Sequence, residues 1–345
     1  MNTSLSASLK TFEQQDLKMS KRGFLGLGCA GALAAMFGPR LAHAQAGYPS
    51  RPVSVIVPYA PGGQGDVFAR FLSEPLAAKL KQAVVVENRP GASGMLGTRL
   101  IIRDKGDGYQ LLLGQTGEIA INPTVNKNAG YDTLKDLAPI VLAGDSPLVL
   151  IAPRNAPYDT IQELIGLADK SPESVSYASS GTATPGHLAA AALALGTKTK
   201  MIHVPYKGAG QALTDVIGGQ VNCFFSSASA AMGHIKSGSV KALAVSSLER
   251  LNSLPDVPTI AETVLPGFNF SLWGGYFAPK RTPKAIIERL NTEINDILER
   301  PEVRARFEAD GAAVARNTPE QFSEFVKAEI AKYRDLIAAA DISLE

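Results

Sequence analysis

The chain has 345 residues, 45% of them hydrophobic and 19% charged, with 34 Lys and Arg against 32 Asp and Glu. That composition excludes an intrinsically disordered protein, and the length accommodates two domains of ordinary size. With no basic run longer than two residues, the chain offers no electrostatic footprint to nucleic acid or to an anionic membrane surface.

Residues 1–46 read as a secretory signal peptide, because Lys21 and Arg22 precede an apolar, small-residue run from Gly23 to Gly38 that closes near Ala42-His43-Ala44. Glu13 and Asp16 are out of place in a basic leader, so the expected translation start is Met19. Cleavage after Ala44 and cleavage after Ala46 both fit; with the second, the mature chain begins at Gly47. The run is shorter than the ~20 residues of a membrane span and is interrupted by Pro39-Arg40, which argues against an anchor. Ser20 to Leu25 is loosely similar to a twin-arginine signal, leaving export by the Sec and twin-arginine routes both open. Either route delivers the chain to the periplasm. Loss of five basic and two acidic residues with the leader brings the mature net charge to about −1.

From Arg51 onward, short β-branched runs alternate with helical patterns, which predicts an α/β fold with a mostly parallel sheet. Pro52 to Pro58 is the first strand, followed by a helix in which Val67, Phe68, Phe71, Leu72, Leu76 and Leu80 recur at helical spacing, with Asp66 as its expected N-cap. Ala83 to Glu87, Met95 to Ile102 and Gln110 to Gly114 continue as strand, helix and strand. Two apolar runs, Ala138 to Ala143 and Pro147 to Ala152, are split by Gly144-Asp145, and a crossing into a second lobe is expected near residue 146.

The second lobe alternates helix and strand through Thr160–Ala168, Val175–Ser179, Pro185–Leu195, Lys200–Pro205, Gln211–Ile217 and Val221–Phe225, followed by one more helix and a strand at Val240–Ser246. After the stiff Pro255 to Thr259 segment come a strand at Trp273 to Phe277 and two amphipathic helices. Thr282-Pro283 and Thr318-Pro319 each suggest Thr at N-cap and Pro at N1, and Gln321 completes a capping box with Thr318. The expected division is therefore residues 47–146 plus 270–345 for lobe 1 and 147–269 for lobe 2.

Three small-residue loops follow strands and lead into helices: Tyr59-Ala60-Pro61-Gly62-Gly63-Gln64-Gly65-Asp66, Arg89-Pro90-Gly91-Ala92-Ser93-Gly94, and Ser179-Ser180-Gly181-Thr182-Ala183-Thr184-Pro185-Gly186. Such junctions present backbone N–H groups and helix N-termini to an anion. None matches a P-loop or a dinucleotide fingerprint, so a nucleotide is disfavoured. Across a cleft between two lobes, backbone donors and hydroxyls from both sides suit a carboxylate. The candidate ligand set is Tyr59, Ala60, Pro61, Gly62, Gly63, Asp66, Gly91, Ala92, Ser93, Ser180, Gly181, Thr182, Ala183, Thr184, His187, Tyr206, Ser226 and Trp273. Tyr59, Tyr206, Phe225 and Trp273 are read as walls for a carbon skeleton, each with core packing as the alternative, and His187 as a ligand donor or a structural bond to its loop.

Chemistry is poorly served. The mature chain holds only His187, His203 and His234, none at a zinc-ligand spacing or near a nucleophile elbow, and no general acid and base pair stands out. No catalytic residue, metal or cofactor is expected. Cys223, alone after cleavage, reads as a buried core thiol.

Taken in order, Pro58-Tyr59 with Gly62-Gly63 and Asp66, Asn88 to Ala92 with Gly94, Gly181 with His187, His203 to Gly208, and Pro255 to Glu262 resemble the Bug family, the periplasmic solute-binding proteins of tripartite tricarboxylate transporters. The resemblance runs from Tyr48 nearly to the C-terminus. It implies a type II periplasmic-binding-protein fold, two α/β lobes closing on a ligand cleft, and delivery of a small carboxylate to one large and one small integral membrane subunit. It further implies a ligand carboxylate held by backbone groups and ordered waters, with the first glycine-rich loop and the Gly181 region contributing. The chain departs from the pattern at Ala183, where a second glycine is usual, and at Asn222, where aspartate is usual; Ala183 is expected to narrow the space beside its loop. The expected function is an exported carboxylate receptor without membrane insertion of the mature chain. A receptor signalling to a membrane sensor is the alternative, and an enzyme on the same scaffold a third.

Overall fold

β-Branched and leucine-rich runs supply the strands, beginning with β1 (Val53–Val57), whose alternate residues are buried on both faces. A computed structural model describes residues 47–309 and 311–343. The expected signal peptide, the start at Met19 and both cleavage points lie outside the described residues. Helix α1 (Gln64–Leu80) leads from β1 to β2 (Val84–Asn88), and α2 (Met95–Arg103) leads on to β3 (Gln110–Gln115). β1 pairs in parallel with both β2 and β3.

The next strand, β4 (Leu137–Pro153), is 17 residues long. The two apolar runs expected on either side of Gly144-Asp145 are thus one strand, with that pair at the second of two register shifts. The glycine is there for packing, since a Cβ on it would sit 2.8 Å from the Phe68 ring and 3.0 Å from the Phe307 ring. Bulges of this kind bend a strand without ending it.

Beyond β4 come α3 (Ile161–Lys170), β5 (Ser176–Ser179), α4 (Pro185–Thr197), β6 (Ile202–Pro205), α5 (Ala209–Ile217), β7 (Cys223–Ser227), α6 (Ala228–Lys236) and β8 (Val240–Val245). β9 (Ser271–Pro279) returns antiparallel between β3 and β4, and α7 (Lys284–Leu298), α8 (Pro301–Ala309) and α9 (Pro319–Ala339) finish the chain. Strand order is β2-β1-β3-β9-β4-β7-β5-β6, with β8 also on β4. The sheet is mixed rather than mostly parallel, because β4 runs antiparallel to β7, β8 and β9.

Helix starts separate into one confirmed and two displaced. Thr318 caps α9 through Gln321 N–H in a complete capping box. The cap of α7 is Pro283 rather than Thr282, and that of α1 is Gly63 rather than Asp66. The α9 stripe of Phe322, Val326, Tyr333 and Ile337 is buried in the core alongside Trp273 and Phe277.

Strand register places the loops. β4 pairs with β9 as far as Pro147↔Ser271, and with β7 from Leu148↔Ser227. On one side, the C-terminal end of β3 reaches this crossing through Gln115↔Gly274 and Gly144↔Gly274. On the other, β7 runs toward it from Phe224 to Ser227, with β5 parallel alongside. The C-terminal ends of both strand sets therefore converge on residues 144–148, which brings the loops after them to the two sides of one crossing.

Candidate functional site

The first loop is braced by its own helix. Asp66, at the third position of α1, is 4% exposed and accepts the Gly62 N–H at 2.9 Å and Arg70 Nε at 3.0 Å. Burial pushes this carboxyl up, but the bonds from Arg70 and Gly62 win and hold it below the usual carboxylate range. Arg70 also reaches Asn88 Oδ1 at 3.2 Å, and Asn88 Nδ2 donates to the Tyr59 carbonyl at 3.1 Å. Asp66 thus shapes the loop that Tyr59, Ala60, Pro61, Gly62 and Gly63 form; all of these are exposed except Tyr59, which is half-buried.

In the second loop Gly91, Ala92 and Ser93 are exposed, and Ala92, Ser93 and Gly94 hold left-handed φ angles of 48°, 52° and 89°. Tyr59 and this loop meet a third segment that sequence reasoning passed over, Gln115 to Asn122. Thr116 Oγ1 accepts the Trp273 N–H at 2.9 Å, and Gln64 Nε2 donates to the Leu272 carbonyl at 2.7 Å. The available signal was a polar Gln-Thr-Gly-Glu stretch at the C-terminal end of β3, the same kind of junction as the other loops.

Trp273, expected as an aromatic wall, belongs to the core. Its ring is fully buried edge-on to Phe322 and Phe325, and Nε1 donates to Glu329 Oε2 at 2.9 Å. Its position in the middle of an apolar run, facing α9, explains the difference.

Across the crossing, Ser179 Oγ lies 2.7 Å from His203 Nε2 and accepts the Gly181 N–H at 3.2 Å, while Thr184 Oγ1 donates to the Gly181 carbonyl at 2.8 Å. Ser180 is half-buried and Thr182 exposed. Ala183 has φ 58° and is 3% exposed, its methyl in the apolar core. The expectation that this methyl narrows the space beside the loop is corrected: what the alanine brings is a left-handed backbone, which costs a residue with a Cβ about 1–2 kcal/mol and a glycine nothing.

His187 is 5% exposed, accepts the Ala183 N–H on Nδ1 at 3.0 Å, and stacks on His203 at 3.7 Å with an 8° interplanar angle. Burial lowers His187 to about 3, helped by the neighbouring imidazole, and lowers His203 to about 4. Both rings are neutral at physiological pH and pin the loop's backbone. Tyr206 donates its N–H to the Ser179 carbonyl at 3.0 Å and its hydroxyl to Asp215 at 2.7 Å. Ser226, paired with Val149 just beyond the crossing, has a buried Oγ without a hydrogen-bond partner.

The geometry thus sets exposed backbone of the first two loops on one side of the crossing and the Ser180 to Thr184 loop on the other. Arg70 and Arg89, which flank the first two loops in sequence, are engaged by Asp66 and Glu87. A separate depression of ≈ 370 Å³, lined by Glu173, Leu195, Ile202 and Ala340 among others, lies at the opposite ends of α4 and β6, away from these loops. Among the described residues no cluster of three His, Cys, Asp or Glu is arranged to hold a metal ion, and no helix is long and apolar enough to cross a membrane.

Residues 68–342 match the family model of the tripartite tricarboxylate transporter family receptor. The chain belongs to this receptor family. The receptor is 36% identical to protein BugT of Bordetella pertussis over 299 residues, covering 86% of this chain and 92% of BugT. It superposes on MatC of Rhodopseudomonas palustris, solved with bound malate, with a TM-score of 0.74 at 30% identity, covering 84% of the receptor and 100% of MatC. An R. palustris protein solved with adipate gives a TM-score of 0.78 at 29% identity, with 86% and 99% covered. The receptor therefore has the two-lobed periplasmic-binding-protein fold that the sequence resemblance implied.

Proposed function

We propose that this receptor is exported to the periplasm, captures a small carboxylate between two lobes, 47–146 plus 270–345 and 147–269, and delivers it to the integral membrane subunits of a tripartite transporter. The observation carrying the proposal is the convergence of small-residue loops on both sides of one strand crossing, exposed on the first side and with Thr182 exposed on the second, with the neighbouring arginines already paired. A carboxylate there is held by backbone N–H groups, by the hydroxyls of Ser180 and Thr182, and by water. Relatives solved with malate and adipate support an acid of this size class. Closure follows from differential affinity: an acid that reaches both loop sets binds the closed form better and shifts the population toward it.

The test is a thermal-shift screen of refolded, ligand-stripped protein against mono-, di- and tricarboxylates and their neutral amides. An acid at 100 times its dissociation constant stabilises the native state by about 2.7 kcal/mol. Stabilisation by amides or sugars with none from any acid would overturn the carboxylate reading.

A further inference from the structure

Between the first and second loops lies a buried polar knot. Glu118, fully buried in a π-helical turn (Gly117–Ile121), accepts the Gln115 N–H on Oε1 at 2.5 Å and the Tyr59 hydroxyl on Oε2 at 2.7 Å. The same hydroxyl lies 3.2 Å from the Ser93 carbonyl, which also accepts Asn122 Nδ2 at 2.6 Å. Tyr131 donates its hydroxyl to the Glu118 carbonyl at 2.5 Å, fixing the turn from behind.

The backbone is shaped around this contact. A Cβ on Gly94 would stand 3.0 Å from the Tyr59 oxygen and 3.1 Å from Glu118 Oε2, and one on Gly117 would stand 2.8 Å from the Tyr59 oxygen. Two glycines therefore leave a slot that admits a phenol and a carboxyl together. Beside the slot, Ala92 and Ser93 hold consecutive left-handed φ angles of 48° and 52°. Residues with a Cβ keep such a conformation only where their surroundings fix it. What fixes this one is the Ser93 carbonyl, gripped by Asn122 and Tyr59.

We infer that Glu118 is a positioning residue for ligand capture: through Tyr59, and together with Asn122 through Ser93, it locks the first and second loops into one register so that their backbone donors converge. The inference rests on the carboxylate-receptor reading for its ligand but not for its geometry. Burial pushes the Glu118 carboxyl up to about 7, so it brings less than a full negative charge to the anion loops. The knot closes in either protonation state. An ionised carboxylate accepts from the phenol; a protonated acid donates to the phenol, which then turns its own proton to Ser93.

The experiment compares Glu118→Ala, Glu118→Gln and Tyr59→Phe by calorimetric titration with whichever acid stabilises the wild type most, and by ¹H–¹⁵N spectra of the free proteins. Glu118→Ala is expected to weaken binding at least tenfold and to move the Ser93 and Gly94 amide resonances. Glu118→Gln, whose amide donates to the phenol as the protonated acid does, is expected to restore affinity to within threefold and return both resonances. Tyr59→Phe cuts the link while keeping the ring, and reports on the brace if Glu118→Ala does not fold.

Affinity and resonances unchanged in Glu118→Ala or Tyr59→Phe, with only the melting temperature lowered, would reduce Glu118 to a structural role and overturn the inference. A wild type that binds no acid sinks the carboxylate reading alone. In that case the free-protein resonances still decide the brace: moved by Glu118→Ala and returned by Glu118→Gln they support it, and unmoved they refute it.

Discussion

Acid should weaken this fold through His187, by an amount that follows from its surroundings. The ring is buried, accepts the Ala183 N–H on Nδ1, and faces His203 at 3.7 Å, so a proton on it would cost a hydrogen bond and meet a second imidazole. Its pKa is lowered to about 3 by burial first and His203 second, against 6.5 in the unfolded chain. Stability from a depressed group is present above the unfolded value and is lost as pH falls, here between 6.5 and about 3. At pH 5 the unfolded imidazole is almost fully protonated and the folded one almost wholly neutral, which removes about 2 kcal/mol relative to pH 7.5. For a chain of this size that is roughly 4 °C in melting temperature. Glu118 and Asp145, whose carboxyls burial raises to about 7 and about 6, act in the opposite direction. The measurement is therefore the difference in pH slope between the wild type and His187→Asn, whose amide oxygen keeps an acceptor for Ala183 and does not titrate. Calorimetric scans from pH 7.5 to 5 should show the variant losing roughly 4 °C less. Equal slopes would refute the account of a buried neutral ring.

Gly63→Val is expected to fold normally and lose at least tenfold in acid affinity by titration calorimetry, because φ is −77° and a Cβ meets nothing nearer than the Ala60 carbonyl at 3.7 Å, while the added bulk blocks the loop. Cys223, 2% exposed and with its thiol pushed up to about 12 by burial, should resist a thiol reagent at pH 8 until denaturant is added. Asn222 Oδ1 accepts both the N–H and the hydroxyl of Ser176, at 2.8 and 2.9 Å. Asn222→Asp keeps both acceptors and should leave the urea midpoint nearly unchanged, whereas Asn222→Leu strands a strand N–H and should cost about 1–3 kcal/mol.

Much of the fold was legible because period and capping are local. The Thr318-Gln321 box, the alternation of strands with helices, and the small-residue loops after β1, β2 and β5 all follow from neighbouring residues. The reading failed where distant packing decides. Gly144 splits two apolar runs in sequence, yet the strand runs straight through it, and it is the two rings of Phe68 and Phe307 that require it. Trp273 looks like a binding aromatic until α9 covers it. Glu118 carries no sequence sign of burial, since an acidic residue after a glycine ordinarily marks a solvated turn; its carboxyl is held inward by the Gln115 N–H and by the Tyr59 hydroxyl, 59 positions away. Ala183 stands out in sequence as a departure from the family pattern, but its meaning, a backbone angle rather than a crowded space, lies in the three-dimensional trace.

β4 has a mechanical consequence. Its 17 residues carry ladder bonds to β9 at one end and to β7 and β8 at the other. A movement of one half against the other must then be absorbed as torsion along an unbroken ribbon, shared with β9, rather than as slack in a linker. Such a ribbon resists stretching and sideways slip while yielding to twist, which restricts the approach of the loops to few trajectories. It also ties the halves thermally: neither can shed its strands without stripping a hydrogen-bonded edge from the other, so the molecule should melt in one transition.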